Sequence, residues 1–117
     1  MRDRDGYALR EIVRLCQVGA ELVSRGHDWY VNDVSNVPGL AAESLIIKIG
    51  DNVARLSSEV LEAHPNVPWS LIKRMSAGLG HRYGATDHEA VWDTMVADLP
   101  TIQKYTQSVL AKGRSGN

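Results

Sequence analysis

The run from Lys73 to Tyr83 gathers most of the residues that could do chemistry. His81 stands between Gly80 and Arg82, and an accessible histidine moves protons near neutral pH. Arg74, with Lys73 and Arg82, could hold the oxygens of a phosphate. Arg74, Gly78 and His81 share one face if a helix persists through the run. Gly78 and Gly80 weaken such a helix by about 1 kcal/mol each relative to alanine, so something other than helix stability set this stretch. A second reading is a glycine-loosened helix end capped by a histidine, and spacing alone leaves both open. The surrounding window carries no acidic residue between Glu62 and Asp87, yet holds Lys73, Arg74, Arg82, His64 and His81. A locally basic window suits a phosphate-bearing partner, and chance accounts for it about equally well.

The remaining candidates are blander. His27 and His88 lie beside aspartates near expected helix ends, and His64 precedes a proline. No histidine pair stands at metal-ligand spacing with a carboxylate, so neither a metal nor a cofactor is expected. A glycine-rich phosphate loop, a nucleophile elbow and a dinucleotide fingerprint are missing. Asp51, near the apolar seam of a long helix, reads first as a solvated surface carboxylate and second as a carboxylate facing a cleft. Cys16 falls in an apolar helical stripe and reads as a small core residue rather than a reactive thiol.

Such residues need a scaffold, and 117 residues supply one domain, expected over 1–111 with a frayed tail at 112–117. Hydrophobic residues at 44% and charged residues at 23% are ordinary globular composition and exclude a disordered chain. A net charge of −1 argues against bulk electrostatic binding to nucleic acid, leaving any such contact to a local patch. With a single cysteine, no internal disulfide can form. The start lacks an apolar leader and no stretch is apolar enough to span a bilayer, so a soluble cytoplasmic chain is expected.

Apolar spacing is helical nearly throughout. Leu9, Ile12, Val13, Cys16, Ala20 and Val23 set a helix at about 4–25, stopped by Gly26. The stretch from His27 to Pro38 reads as a loop with room for one helical turn. Ile46, Ile49, Val53, Leu56 and Val60 form a seam along one long helix at about 39–63, ended by Pro65 and expected to pack internally. Pro68 opens a segment bearing Trp69, Ile72, Met75 and Leu79. Thr86 followed by Glu89 reads as a capping box, and Pro100 marks the first turn of a last helix with Ile102, Tyr105 and Val109 inward. The fold expected is an all-α up-down bundle of four to five helices.

Four stretches together carry a family resemblance: Ile47 to Ser57, Ala63 to Trp69, His81 to Tyr83, and Val91 to Thr94 continuing to Asp98-Leu99-Pro100. Over nearly the whole chain the sequence resembles the HEPN superfamily, specifically the HepT-like toxins paired with minimal nucleotidyltransferase antitoxins. The resemblance implies a helical homodimer that cuts RNA, tRNA foremost, without metal, with DNA not expected as a substrate. The family motif is an arginine, four residues, a histidine, any residue and a tyrosine, brought by both protomers to a shared cleft. His81 falls on the histidine and Tyr83 on the tyrosine, which in the family is adenylylated by the partner nucleotidyltransferase to silence the toxin. Ser76 occupies the arginine position and Ala77 its usual asparagine neighbour. Neither can present a permanent cation to a phosphate. Arg74 is the candidate substitute, with Lys73 and Arg82 as further phosphate contacts. Three alternatives stand: Arg74 has taken the role, the chain is a non-cleaving module that binds a nucleotidyltransferase, or it is an engineered attenuated toxin.

Overall fold

The computed structural model describes residues 1–79 and 86–115, and within them the chain is all α, without a strand. Four helices of ten residues or more form the body: α1 (Asp3–Ser24), α3 (Val37–Ala54), α6 (His88–Ala97) and α7 (Leu99–Ser115). Three short ones join them: α2 (His27–Asn32), α4 (Ser58–Ala63) and α5 (Trp69–Lys73), the last running into a 3₁₀ turn at Met75–Leu79. α1 packs chiefly against α3 and α7, and α3 also receives α5, the 3₁₀ turn and α6.

Most of the apolar positions predicted from spacing are buried, although Val13, Val23 and Tyr105 are half-buried and Ala20 is exposed. Leu9, Ile12 and Cys16 of α1 meet Ile46, Ile49 and Val53 of α3, with Val91, Met95, Ile102 and Val109 closing the core. Burial pushes the Cys16 thiol up to about 12, in keeping with a packing role. α1 meets the start of α7 at Gly19, where a Cβ would lie 2.6 Å from a Leu99 methyl carbon and that side chain would have to turn aside. Gly26, at a φ of 92° that favours glycine, turns the chain from α1 into α2.

Three local expectations are corrected. The stretch after Gly26 is not mainly loop, because α2 occupies His27–Asn32 and Tyr30 is buried, donating its hydroxyl to the His88 carbonyl at 2.8 Å. The long helix expected at 39–63 is two helices. Between them Ser57 becomes the N-cap of α4, its hydroxyl accepting from the Val60 N–H at 3.4 Å. Fully buried Asp5 accepts from both the Ser57 N–H and the Ser57 hydroxyl at 2.8 Å each, which rewards a break that apolar spacing does not reveal. Leu56 and Val60 stay buried across that break, so the seam packs internally as expected. Finally, α6 is capped by Asp87, not Thr86: its carboxylate accepts from the N–H groups of Glu89 at 3.1 Å and Ala90 at 3.2 Å. Aspartate ranks above threonine as a cap, and the helix begins one residue later than the Thr86 pattern implied.

Candidate functional site

Arg74 is placed by the end of α5. Trp69 anchors that short helix, being buried and donating its indole N–H to the His64 carbonyl at 3.0 Å. At the other end, Gly50 of α3 lies so near the Lys73 carbonyl oxygen that a Cβ would stand 2.9 Å from it. Any side chain at residue 50 would therefore push against the backbone just before Arg74. Arg74 itself has left α-helical geometry, with φ −94° and ψ 7°, and the chain tightens into the 3₁₀ turn. Over the described residues the run thus continues as a 3₁₀ turn and not as an α-helix, while the face expected for Arg74, Gly78 and His81 ends on a residue outside them.

Exposed Arg74 donates its Nε–H to the Ser70 carbonyl at 3.2 Å, which fixes the side chain along α5. Its terminal guanidinium nitrogens make no ion pair among the described residues. Lys73 is exposed beside it, and Ser76 is half-buried in the 3₁₀ turn. Asp51 is exposed on α3 and lines a separate hollow with Tyr7, Glu11, Lys48, Asn52 and Arg55, not the one at Arg74. His81, Arg82 and Tyr83 lie outside the described residues.

The two posts flanking that stretch are well held. Leu79 is fully buried, and its carbonyl accepts the Asp87 N–H at 3.0 Å, tying residue 79 to residue 87 across the intervening chain. The first turn of α6 is then clamped from α2. His27 Nε2 lies 2.8 Å from the Glu89 carboxylate and its ring meets Trp92 edge-on at 5.2 Å. Tyr30, against the same Trp92 at 5.0 Å, has its phenol pushed up to about 12, by burial first and then by Glu89, Glu43 and Asp87.

Beside Arg74 opens a cavity of about 440 Å³ between α5, α6 and α7. Leu71, Ile72, Met75 and Ile102 make apolar walls, while Arg74, Thr94, Asp98, Thr101 and Tyr105 bring polar groups. The size is within the range of about 300–1,000 Å³ usual for small-molecule sites. Sequence reasoning did not find Thr94 and Asp98 as site residues and placed Tyr105 only in the core. All three come from helices distant in sequence, and no local signal marks them. Asp98 also brings an acidic group to a region that the acid-free window had suggested would be purely basic. Among the described residues, no three His, Cys, Asp or Glu side chains converge on a point where a metal ion could sit. No helix among them is long and apolar enough to cross a membrane.

Comparison with known proteins gives this geometry a family. A protein of Caldanaerobacter subterraneus named "Putative RNase" is 33% identical over 64 residues, covering 55% of this chain and 57% of that protein. A Methanocaldococcus jannaschii protein of the same designation is 27% identical over 62 residues, 53% of each chain. The "Probable ribonuclease HepT" of Thermococcus cleftensis is 29% identical over 55 residues, 47% of this chain and 50% of its own. The chain therefore spans about half the length of the curated relatives it matches. No solved structure matches significantly. The model of the HepT-like ribonucleases matches residues 33–109, from the loop before α3 into α7, and with it α5, the Arg74 cavity and the stretch bearing His81 and Tyr83. The chain belongs to the HepT-like ribonuclease family of the HEPN superfamily.

Proposed function

We propose that the protein is a metal-independent endoribonuclease in which Arg74 replaces the arginine that the family keeps at the position of Ser76. The observation that carries this reading is the placement of Arg74. It ends α5 at the mouth of a ligand-sized cavity, its backbone is braced on Gly50, and its terminal nitrogens are free of carboxylates among the described residues. A half-buried serine at residue 76 supplies no cation, so the nearest guanidinium upstream of His81 takes the task.

In this mechanism the ribose 2′-oxygen attacks the adjacent phosphorus as its proton passes to His81. The new O2′–P bond forms as the P–O5′ bond breaks, and the departing 5′-oxygen takes a proton from a protonated histidine in the shared cleft. Arg74, aided by Lys73 and Arg82, balances the charge that builds on the phosphate oxygens. The need for the 2′-hydroxyl excludes DNA as a substrate. The same reading makes the protein a cytoplasmic homodimeric toxin acting on tRNA, with a nucleotidyltransferase antitoxin that transfers AMP to the Tyr83 hydroxyl.

Purified protein incubated with total tRNA in EDTA, beside His81→Ala, tests the nuclease. Cleavage by the wild type alone is expected, and equal RNA loss from both proteins, or none from either, rejects it. The neutralising step is read by mass spectrometry after incubation with the partner and ATP. An unmodified Tyr83 peptide at full coverage counts against the toxin–antitoxin reading. The second reading is a non-cleaving module that binds a nucleotidyltransferase, and the observation favouring it is the missing cation at Ser76. Partner binding without RNA cleavage would select it.

A further inference from the structure

The cavity beside Arg74 has a chemical polarity of its own. Thr94 donates its hydroxyl proton to the Ala90 carbonyl at 3.0 Å, so toward a ligand its oxygen can only accept. Asp98 is an exposed carboxylate without an ion-pair partner among the described residues, and it too can only accept when ionised. Both belong to the end of α6, while Leu71, Ile72, Met75 and Ile102 form the apolar walls, Tyr105 adds an aromatic surface, and Thr101 and Tyr105 add hydroxyls that can donate or accept. Arg74 lines the same cavity as a guanidinium. A ligand that suits the two fixed acceptors, the apolar walls and the guanidinium has a flat apolar body, an edge with N–H donors and an attached anion.

We infer that this cavity is a nucleotide subsite for RNA, taking an amino-bearing base between its apolar walls with that nucleotide's phosphate on Arg74. The assignment rests on the ribonuclease reading for its substrate class, and adds to it a base preference. Adenine, cytosine and guanine each carry an exocyclic amino group that can donate to Asp98 and Thr94. Uracil offers one N–H flanked by two carbonyl oxygens, which a carboxylate repels. Aromatic and apolar surfaces accept any base face, so the preference comes from the two acceptors and not from stacking. A site made to receive N–H groups loses affinity for a ligand that lacks them, because its acceptors are then desolvated without a partner.

The test titrates the intact protein with the 5′-monophosphates of adenosine, cytidine, guanosine and uridine by calorimetry. Uridine monophosphate is expected to bind about tenfold more weakly than the others, and Asp98→Asn, which adds a donor at the same volume, to flatten the order. Thr94→Val, which keeps the shape and removes the acceptor, serves as a second variant, with circular dichroism confirming that both fold. Arg74→Ala should weaken all four nucleotides alike. Equal affinities for the four, no binding of any, or an unchanged order in both Asp98→Asn and Thr94→Val would overturn the assignment. RNA cleavage is scored separately. A flat nucleotide order with active cleavage removes the subsite and keeps the nuclease, whereas the expected order without cleavage keeps the subsite and removes the nuclease.

Discussion

The Lys73 carbonyl oxygen rests on the Cα of Gly50, so close that a Cβ at residue 50 would lie 2.9 Å from it. The contact joins the buried helix α3 to the last residue before Arg74, and it is backbone against backbone. Neither side can yield by rotating a side chain. Gly50→Ala should therefore displace the end of α5 and destabilise the fold by about 1–3 kcal/mol, despite alanine's better helix propensity. Urea unfolding measures this, and a Gly50→Ala protein as stable as the wild type would disprove the constraint.

Arg74→Ala should lower RNA cleavage by about 10²–10³-fold, the usual cost of losing one electrostatic donor to a transition state. Arg74→Lys should recover part of this, since it restores charge without the planar fork. Restoring the family residue with Ser76→Arg should raise cleavage above the wild type. Initial rates on tRNA decide between these outcomes, and an Arg74→Ala enzyme of full activity removes Arg74 from the mechanism.

Asp5 and Ser57 should make the stability of the fold depend on pH in the acid range. Burial by itself raises the Asp5 pKa, but the two Ser57 hydrogen bonds, the Arg2 backbone and the charge of Arg4 outweigh it and hold the carboxyl below its ordinary value. A carboxyl lowered in the folded state adds stability above its unfolded pKa, near 3.8, and loses it as the pH falls through the folded value. Asp5→Ala should cost about 1–3 kcal/mol at neutral pH, because the Ser57 N–H and hydroxyl lose their partner. The difference between wild type and Asp5→Ala should shrink below pH 4 in urea titrations, and a gap independent of pH would refute the ionised role.

Cys16 should be inert in the folded protein. Its thiol is buried and raised to about 12, so almost no thiolate exists at pH 8. A chromogenic disulfide reagent should label it only after denaturant is added, and rapid labelling of the native protein would contradict its place in the core.

The helical fold was legible because burial of a stripe at the helical repeat is a local property. Leu9, Ile12 and Cys16, like Ile46, Ile49 and Val53, announce their helices by spacing alone, and the same residues form the core. A candidate run was legible too: Arg74, His81 and Tyr83 stand near each other in sequence, and the family resemblance marks Ser76 as the place where its motif has an arginine.

What only the tertiary structure decided involves partners far apart in the chain. The break at Ser57 depends on Asp5, which arrives from the first turn of α1, and apolar spacing is blind to a buried carboxylate from elsewhere. The cavity beside Arg74 is likewise lined by residues of α5, the 3₁₀ turn, α6 and α7, and only the folded chain brings Thr94, Asp98 and Tyr105 to one place. Sequence spacing determines which face of an element is apolar. The side chains that meet across two such faces are determined by how closely the backbones approach, and between α3 and α5 that distance turns on Gly50, whose missing Cβ admits the Lys73 carbonyl.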